Sequence, residues 1–238
     1  MDFQAVERSC VSDQVFRQLR DAILTGRLAA GEALPSEREL AESFGVNRHA
    51  VREAVRRLEQ SNLVAVAQGG STKVLDWRVS AGLDLAVALA QSGDVLPTAH
   101  VVRDMLEMRA CVGADAARLC ALRCDEALRT KLEDVVEAMD AADSDLEGLH
   151  NLDIQMWRLV VTGADNLAYL LAFNSLVNEA VAVSPVPQDH RSEELLDTEG
   201  HRRLVRLIAE RRAEEAYACA RKLLTPSLPE EKDRKPSS

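Results

Sequence analysis

Two helix-start signals on either side of one glycine constrain the fold of this chain more than any other feature of its sequence. Ser36 can cap a helix, and Glu39 three residues later completes the spacing of a capping box. Gly45 supplies a tight turn after that helix, and Asn47 is a good N-cap for a second helix that runs to about Ser61. The segment therefore predicts two helices joined by a tight turn.

A helix before this pair and a hairpin after it complete the N-terminal pattern. Apolar residues fall at helical spacing between Ser12 and Thr25. Residues 63–67 and 72–75 are predicted as short strands, with a glycine-containing turn between them. Helix, helix, turn, helix and hairpin is the order of a winged helix-turn-helix, which we predict for residues 1–78.

From about Ser80 onward the sequence predicts helices alone. Their expected ranges are 83–90, 101–122, 126–142, 146–161, 167–183, 194–211 and 213–224. We therefore predict a mainly α protein whose residues 79–224 form an all-α bundle of six to seven helices. Residues 225–238 are rich in Pro, Ser, Lys and Glu, a composition typical of a disordered tail.

The charge of the chain is divided unevenly between these two parts. Residues 1–78 contain 11 basic and 11 acidic side chains, so the remainder carries the entire net charge of −10. A neutral N-terminal part with clustered arginines can bind phosphate, whereas the acidic part would be repelled by it. We expect the acidic part to face away from any bound nucleic acid.

Nothing in the sequence predicts secretion or membrane insertion. It contains no run of about 18 apolar residues, and its N-terminus lacks the pattern of a signal peptide. The five cysteines follow neither disulfide nor zinc-finger spacing, which favours reduced thiols. We expect a cytoplasmic, nucleoid-associated protein with no membrane partner.

The second helix of the tight-turn pair presents a basic face. Arg48, Arg52 and Arg56 follow one another at intervals of four, with His49 beside them. An arginine can donate two parallel hydrogen bonds to guanine, and the N-terminal half of a recognition helix enters the major groove. This spacing alone would also suit a solvated helix face, but the order of the surrounding elements favours DNA binding.

The N-terminal motifs also match a known family in order. They are Gly31-Glu32, Leu34–Ala41, Phe44–Arg48, Val51–Ala54, Leu58-Glu59, Leu63-Val64 and Gly69–Thr72. This combination resembles the GntR superfamily of winged-helix transcriptional regulators, and the helical remainder resembles the ligand domain of its FadR subfamily. The resemblance implies a homodimeric regulator that binds a palindromic double-stranded DNA operator. We expect a repressor, and the sequence leaves activation as the alternative.

Side chains for DNA contact follow from the residue types and this resemblance together. Arg38 is placed to grip a phosphate, the glycine pair at residues 69 and 70 lets the hairpin tip approach the minor groove, and Lys73 can neutralise a phosphate. The residues that we expect to contact DNA are Arg38, Asn47, Arg48, His49, Arg52, Gly69, Gly70, Thr72 and Lys73.

The resemblance also raises the question of a metal site. Many FadR-type ligand domains hold a metal with an Asp, a His four residues later, and two further His on the last two helices. Asp153 and His201 fill two of these places, but Trp157 and Leu223 stand at the other two. Tight binding of a divalent metal normally needs three or more protein ligands, so we predict a metal-free pocket and no cofactor.

The predicted effector is a small acidic metabolite, with a fatty acid or acyl-CoA as the first choice and a short hydroxy- or dicarboxylate as the alternative. Arg109 suits a carboxylate, although a salt bridge to Glu or Asp on a neighbouring helix is the slightly favoured alternative. The residues that we expect to bind the effector are Arg109, Asp153, Trp157, Asn174 and His201, with apolar lining from Met105, Met108, Met156, Leu170 and Phe173.

Other classes of function remain as alternatives. Cys120 and Cys124, with Cys111 earlier on the same helix, leave open a thiol-based redox sensor, although buried cysteines are the commoner outcome. The absence of a nucleotide-binding motif and of a nucleophile elbow argues against an enzyme. A DNA-organising protein without an effector is the third alternative.

Overall fold

The computed structural model of the protein describes residues 11–66, 70–92, 98–142, 145–183 and 191–225. Its helices are α1 (Val11–Leu24), α2 (Glu37–Phe44), α3 (Arg48–Gln60), α4 (Trp77–Ser80), α5 (Leu83–Ser92), α6 (Thr98–Arg123), α7 (Glu126–Ala142), α8 (Leu146–Gly163), α9 (Leu167–Val183), α10 (Ser192–Leu196), α11 (Thr198–Ala209) and α12 (Ala213–Leu224). Its strands are β1 (Val64–Val66) and β2 (Thr72–Val74). The predicted mainly α class is confirmed. Gly69 and the predicted tail from residue 226 lie outside the described residues.

The chain divides into two compact units, one ending at Leu96 and the other beginning at Pro97. The N-terminal unit contains α1 to α5 and the hairpin, and the C-terminal unit contains α6 to α12. The functional division between residues 78 and 79 stays a prediction. No helix in the described ranges is both long and apolar enough to cross a membrane.

Local capping sets the two helices around the tight turn, as predicted. The backbone N–H of Glu39 donates to Ser36 Oγ, and the Glu39 carboxylate accepts from the backbone N–H of Ser36 at 2.8 Å. The Ser36 hydroxyl also donates to the Glu39 carboxylate at 2.7 Å, and this bond, together with the one from the Ser36 backbone N–H, lowers the pKa of the Glu39 carboxyl. Gly45 takes the left-handed conformation with φ of 64°. Asn47 Oδ1 then accepts from the backbone N–H of Ala50 at 2.9 Å and caps α3.

The apolar face of α3 forms the core of the N-terminal unit. Val51, Ala54 and Leu58 are fully buried, and α3 packs on α1. The hairpin is antiparallel, with Val64 opposite Val74. The connector before α2 also pairs with the hairpin, since the backbone N–H of Leu34 donates to Thr72 O at 2.8 Å.

The C-terminal unit is built around α6, which packs against α8 and α12. Small buried residues let these helices approach closely. A Cβ at Gly113 would lie 2.7 Å from Leu224 and 3.3 Å from Trp157, so glycine is needed for this close packing. A Cβ at Gly163 would meet Leu128 and the sulfur of Cys120.

The sequence-based ranges are wrong at one place in the C-terminal unit. The helix predicted for residues 194–211 is two helices, because Asp197 ends α10 and caps α11 through a hydrogen bond from the backbone N–H of Gly200 at 2.8 Å. The described part of the C-terminal unit contains seven helices, α6 to α12, whereas α5, which the prediction counted with them, lies in the N-terminal unit.

Candidate DNA-binding face and effector site

One face of α3 is turned to solvent while the other is packed. Arg48, His49 and Arg52 are exposed in its N-terminal half, whereas Val51, on the packed face, is buried. Asn47 is also exposed, but its side-chain oxygen is used in capping. Two guanidinium groups and an imidazole are therefore exposed at the N-terminal end of α3. In a recognition helix, this is the end that enters the major groove.

Two of the expected DNA-contacting arginines form exposed ion pairs with acids of α2. Arg52 donates through Nε and Nη2 to the Glu37 carboxylate at 3.1–3.3 Å, which raises the pKa of its guanidinium. Arg38 lies 3.5 Å from Glu42. Exposed pairs of this kind are weak, so phosphate or guanine can replace the carboxylates.

The hairpin supplies the wing. Gly70 has φ of 85°, a conformation that favours glycine. Lys73 is exposed and opposite Ala65, whereas Thr72 is half-buried. Lys73 is therefore the side chain of β2 that is free to reach a phosphate.

Asp153 and His201, on α8 and α11, lie together in the C-terminal unit. His201 Nε2 is 3.4 Å from Asp153 Oδ1, and its Nδ1 is 2.8 Å from the backbone oxygen of Asp197. Both side chains are buried. Burial alone would lower the pKa of His201, but the hydrogen bond and charge of Asp153 outweigh it and raise that pKa.

Two arginines supply the positive charge around Asp153. Arg191 Nη2 is hydrogen-bonded to Asp153 Oδ2, and Arg109 Nη2 lies 3.5 Å from the same oxygen. Burial alone would raise the pKa of the Asp153 carboxyl, but Arg191, His201 and Arg109 hold it far below its usual value. Asp153 is therefore a buried carboxylate that is already paired with two cations.

Glu194 of α10 closes the cluster. It accepts from Arg109 Nη1 at 2.8 Å and from Arg109 Nη2 at 2.5 Å, a bidentate arrangement, and from Arg191 Nη2 at 3.1 Å. Burial alone would raise the pKa of the Glu194 carboxyl, but Arg109 and Arg191 lower it. The salt-bridge alternative for Arg109 is thus what the structure contains. We call Arg109, Asp153, Arg191, Glu194 and His201 the buried charge cluster.

This donor set does not suit a divalent metal. The places implied by the resemblance hold Trp157 and Leu223, which are buried apolar side chains. No group of three or more His, Cys, Asp or Glu in the described residues is arranged as a metal site. The cation beside Asp153 is instead the guanidinium of Arg191.

An apolar cavity of about 30 Å³ lies beside Arg109. It is lined by Met108, Arg109, Val112, Gly113, Trp157, Val161, Ala172, Phe173, Leu176 and Leu224. This volume has room for roughly one or two waters. Of the expected lining residues, Met108, Trp157 and Phe173 line it. Met105, Met156 and Leu170 are not among its lining residues.

Trp157, one of the lining residues, has a buried indole N–H. Its side chain is 4% exposed, and its indole N–H has no hydrogen-bond partner within the described part of the chain. The Arg109 guanidinium lies 5.9 Å from the centre of its ring. An unpaired buried N–H is costly.

The structure places Asn174 in a different contact. Its side-chain oxygen accepts from Arg158 Nη1 at 3.0 Å and so joins α9 to α8. Arg191 and Glu194, by contrast, were not among the candidates from the sequence. They stand at the start of a short helix, and no local spacing relates them to Arg109, 85 positions before Glu194.

The cysteines differ in exposure. Cys120 and Cys124 are buried, and Cys111 is exposed. Burial raises the pKa of the Cys120 thiol, which disfavours the reactive thiolate.

Comparisons with known proteins agree with this architecture. The family model for bacterial regulatory proteins of the gntR family matches residues 11–74, and that for the FCD domain matches residues 104–225. The chain is 38% identical over 203 residues to the HTH-type transcriptional regulator Mce2R of Mycobacterium tuberculosis, covering 80% of this chain and 83% of the relative. It is 29% identical over 157 residues to a fatty acid metabolism regulator protein of Pectobacterium carotovorum, covering 66% and 63%.

A solved structure shares the fold. It is that of Lar, which controls the expression of the Listeria monocytogenes agr system, and it matches with a TM-score of 0.51 and 19% identity over 96% of this chain and 97% of that one. The matched models account for the winged helix-turn-helix and for the helical unit that contains the buried charge cluster. The chain belongs to the GntR family of bacterial regulatory proteins and is a transcriptional regulator with a winged helix-turn-helix and an FCD domain.

Proposed function

We propose that this regulator is a homodimeric repressor that binds a palindromic operator and releases it when an acidic, largely apolar metabolite binds the C-terminal unit. Residues 1–78 bind DNA and residues 79–224 bind the effector and dimerise. The protein acts in the cytoplasm, at the nucleoid. The observation that carries the effector class is the apolar cavity beside Arg109.

A fatty acid or an acyl-CoA thioester is the leading effector. An apolar wall and a single cationic anchor suit an amphiphilic acid, and Met108 gives the wall tolerance of shape. A relative at 29% identity is named as a fatty acid metabolism regulator. Because the cavity is only about 30 Å³, binding of a chain requires its half-buried α9 wall at Ala172, Phe173 and Leu176 to move.

A short hydroxy- or dicarboxylate is the second candidate. The observation that favours it is the same small volume, since a short acid displaces less of the packed interior than an acyl chain does. It would use the guanidinium groups of the buried charge cluster and leave the apolar wall in place.

A thermal-shift panel distinguishes these candidates. Fatty acids, acyl-CoAs, sugar acids and short carboxylates are each added to the dialysed protein, and stabilisation follows RT ln(1 + [L]/Kd), about 2.7 kcal/mol at a hundredfold excess over Kd. We expect the amphiphilic acids to raise the melting temperature of the wild type and to lower its operator affinity. We expect no such rise for Arg109→Gln.

Arg103→Gln is the matched control, because Arg103 is on the same helix and pairs with its neighbour Asp104 at 2.6 Å. It should respond like the wild type. A rise with short carboxylates alone would replace the lipid candidate by the second one. If no acid changed either quantity, the proposed effector class would be wrong, although the chain would remain a DNA-binding regulator.

A further inference from the structure

The Glu194 carboxylate lies on Arg109 as an acid ligand would. Both of its oxygens accept hydrogen bonds from the terminal nitrogens of Arg109, at 2.8 and 2.5 Å. Parallel N–H···O bonds of this kind are the preferred geometry between guanidinium and carboxylate. The Glu194 side chain is completely buried, although it comes from a different helix. The anchor expected for an acidic effector is therefore already occupied by an acid of the chain itself.

The charges of the cluster leave no room for a second acid on Arg109. Arg109 and Arg191 carry two positive charges, and Asp153 and Glu194 carry two negative charges. An effector carboxylate added to this group would be a third anion beside Arg109, whose two terminal nitrogens already donate to Glu194. The remaining cation of the cluster, His201 when protonated, faces Asp153 instead. An uncompensated buried charge is strongly destabilising, so an acidic effector binds best by replacing one of the two carboxylates.

Glu194 is the carboxylate that can leave. Asp153 lies in the middle of the 18-residue helix α8, whereas Glu194 is in α10, a helix of five residues. Leu195 is buried beside it, while Glu193 and Leu196 are exposed. Of the five side chains of α10, those of Glu194 and Leu195 are buried. The pairing of Glu194 with the two arginines of the cluster is therefore one of the main attachments of this short helix.

We propose that Glu194 is an internal stand-in for the acid group of the effector, so that effector binding displaces Glu194 from Arg109 and releases α10. This inference rests on the proposed acidic effector and adds the way in which it acts. The released α10 is joined directly to α11 at Asp197. A change at the pocket is thereby passed to a helix of the core of the C-terminal unit.

The test uses decanoate as the probe and Glu194→Gln as the variant. Glutamine keeps the shape of the side chain but removes the competing charge, so we expect decanoate to bind Glu194→Gln about tenfold or more tightly than the wild type, a difference of about 1.4 kcal/mol. Glu193→Gln, an exposed neighbour on the same helix, should bind like the wild type. The Kd values are measured by isothermal titration at one pH and one salt concentration.

Hydrogen exchange on the wild type gives a second readout, which does not depend on how well the variant folds. We expect decanoate to speed the exchange of backbone amides in residues 191–196, because α10 is released, while amides elsewhere in the pocket exchange more slowly. Slower or unchanged exchange in residues 191–196 with decanoate bound would overturn the inference.

The affinities separate this inference from the proposed function. Equal decanoate affinity in the wild type and Glu194→Gln would overturn the displacement of Glu194 and leave the acidic effector standing. No decanoate binding to either protein would overturn both.

Discussion

Arg52 and Arg109 are both paired with a glutamate, but in different surroundings. The Arg52–Glu37 pair is exposed, and its charges are screened by water and salt. The Arg109–Glu194 pair has a fully buried carboxylate, so its attraction is screened much less. The first pair can therefore exchange readily with DNA, whereas the second yields only to a ligand that restores the lost charge pairing.

Replacing Arg48 or Arg52 with alanine tests the DNA-binding face. Each substitution removes a donor for a base edge, so we expect operator affinity to fall about tenfold or more and the preference over a scrambled duplex to narrow. The operator is a duplex selected from a random library, and affinity is measured by fluorescence anisotropy. Arg17→Ala, which removes an exposed arginine of α1, is the charge-matched control. Wild-type affinity in either α3 variant would show that α3 does not read the operator.

His201 gives the charge cluster a predictable dependence on pH. Its pKa is raised above the usual value of about 6.5 by Asp153, although burial opposes this. The stabilisation from protonated His201 is therefore fully present below about pH 6.5 and is lost as the pH rises through the higher folded-state pKa. We expect the free energy of unfolding of the wild type to exceed that of His201→Gln by more at pH 5.5 than at pH 8.5, in urea titrations.

The other groups that face His201 do not change this sign. Asp153 and Glu194 have lowered carboxyl pKa values, so the stability that they add is lost only in stronger acid. Burial alone would lower the pKa of the Arg191 guanidinium, but Asp153 and Glu194 raise it, so Arg191 stays charged. His150, whose pKa is lowered by burial and by Arg191, titrates in both proteins and largely cancels in the difference. A difference in the free energy of unfolding between the wild type and His201→Gln that stayed constant or grew with rising pH would contradict the raised pKa of His201.

At the scale of elements, capping side chains next to the helix ends determine where α2, α3 and α11 begin. Ser36, Glu39 and Asn47 act within four residues of the helix ends that they cap, so the sequence alone was enough to predict α2 and α3. The sequence-based prediction lacked the break at Asp197, although Asp is a favoured N-cap residue and residues 197–203 contain no large apolar side chain. In the folded chain the Asp197 side chain caps α11.

Only part of the candidate site could be predicted, because some of its residues pair with partners that are distant in the sequence. Asp153 and His201 could be placed together because the resemblance relates them, and the structure brings them to 3.4 Å. Arg191 and Glu194 could not, because their partners lie 38 and 85 positions earlier in the chain. No helical or strand period connects residues at such separations.

The crossing of α8 with α6 and α7 depends on Gly163. A Cβ there would lie 2.6 Å from Cys120 Sγ and would also meet Leu128, so Gly163→Ala forces these buried side chains to shift. Overpacking of this kind costs about 1–3 kcal/mol, and we expect a loss of that size in urea unfolding. Thr162→Ala, at an exposed position one residue earlier, should change stability by less than about 0.5 kcal/mol. Equal stability of the two variants would show that the helices are not packed this closely.

The cation that pairs with Asp153 of α8 in the buried charge cluster is the guanidinium of Arg191, which directly precedes α10. Because Arg191 pairs with Asp153 where the resemblance would place a metal, we expect elemental analysis of the dialysed protein to find far less than one zinc or manganese per chain. A stoichiometric metal, removed by a chelator with a fall in the melting temperature, would make Asp153 and His201 ligands and contradict this account.

At the scale of the whole molecule, the uneven distribution of charge affects DNA binding. The N-terminal 78 residues are neutral overall and the rest carries the net charge of −10. Attraction to phosphate therefore comes from a few local cations, and long-range repulsion from the acidic part opposes nonspecific binding. In the proposed homodimer, specificity depends on base contacts that are made twice, once in each half of a palindromic operator.

The central claim is best tested by titrating the selected operator and a scrambled duplex with the full-length protein, with and without decanoate, at one fixed salt concentration. We expect one homodimer to bind each operator, with a preference over the scrambled duplex of about a thousandfold or more, and decanoate to reduce the operator affinity alone. Equal affinity for the two duplexes, with the same dependence on salt and no response to decanoate, would contradict an effector-controlled regulator and would favour a protein that coats DNA without reading it.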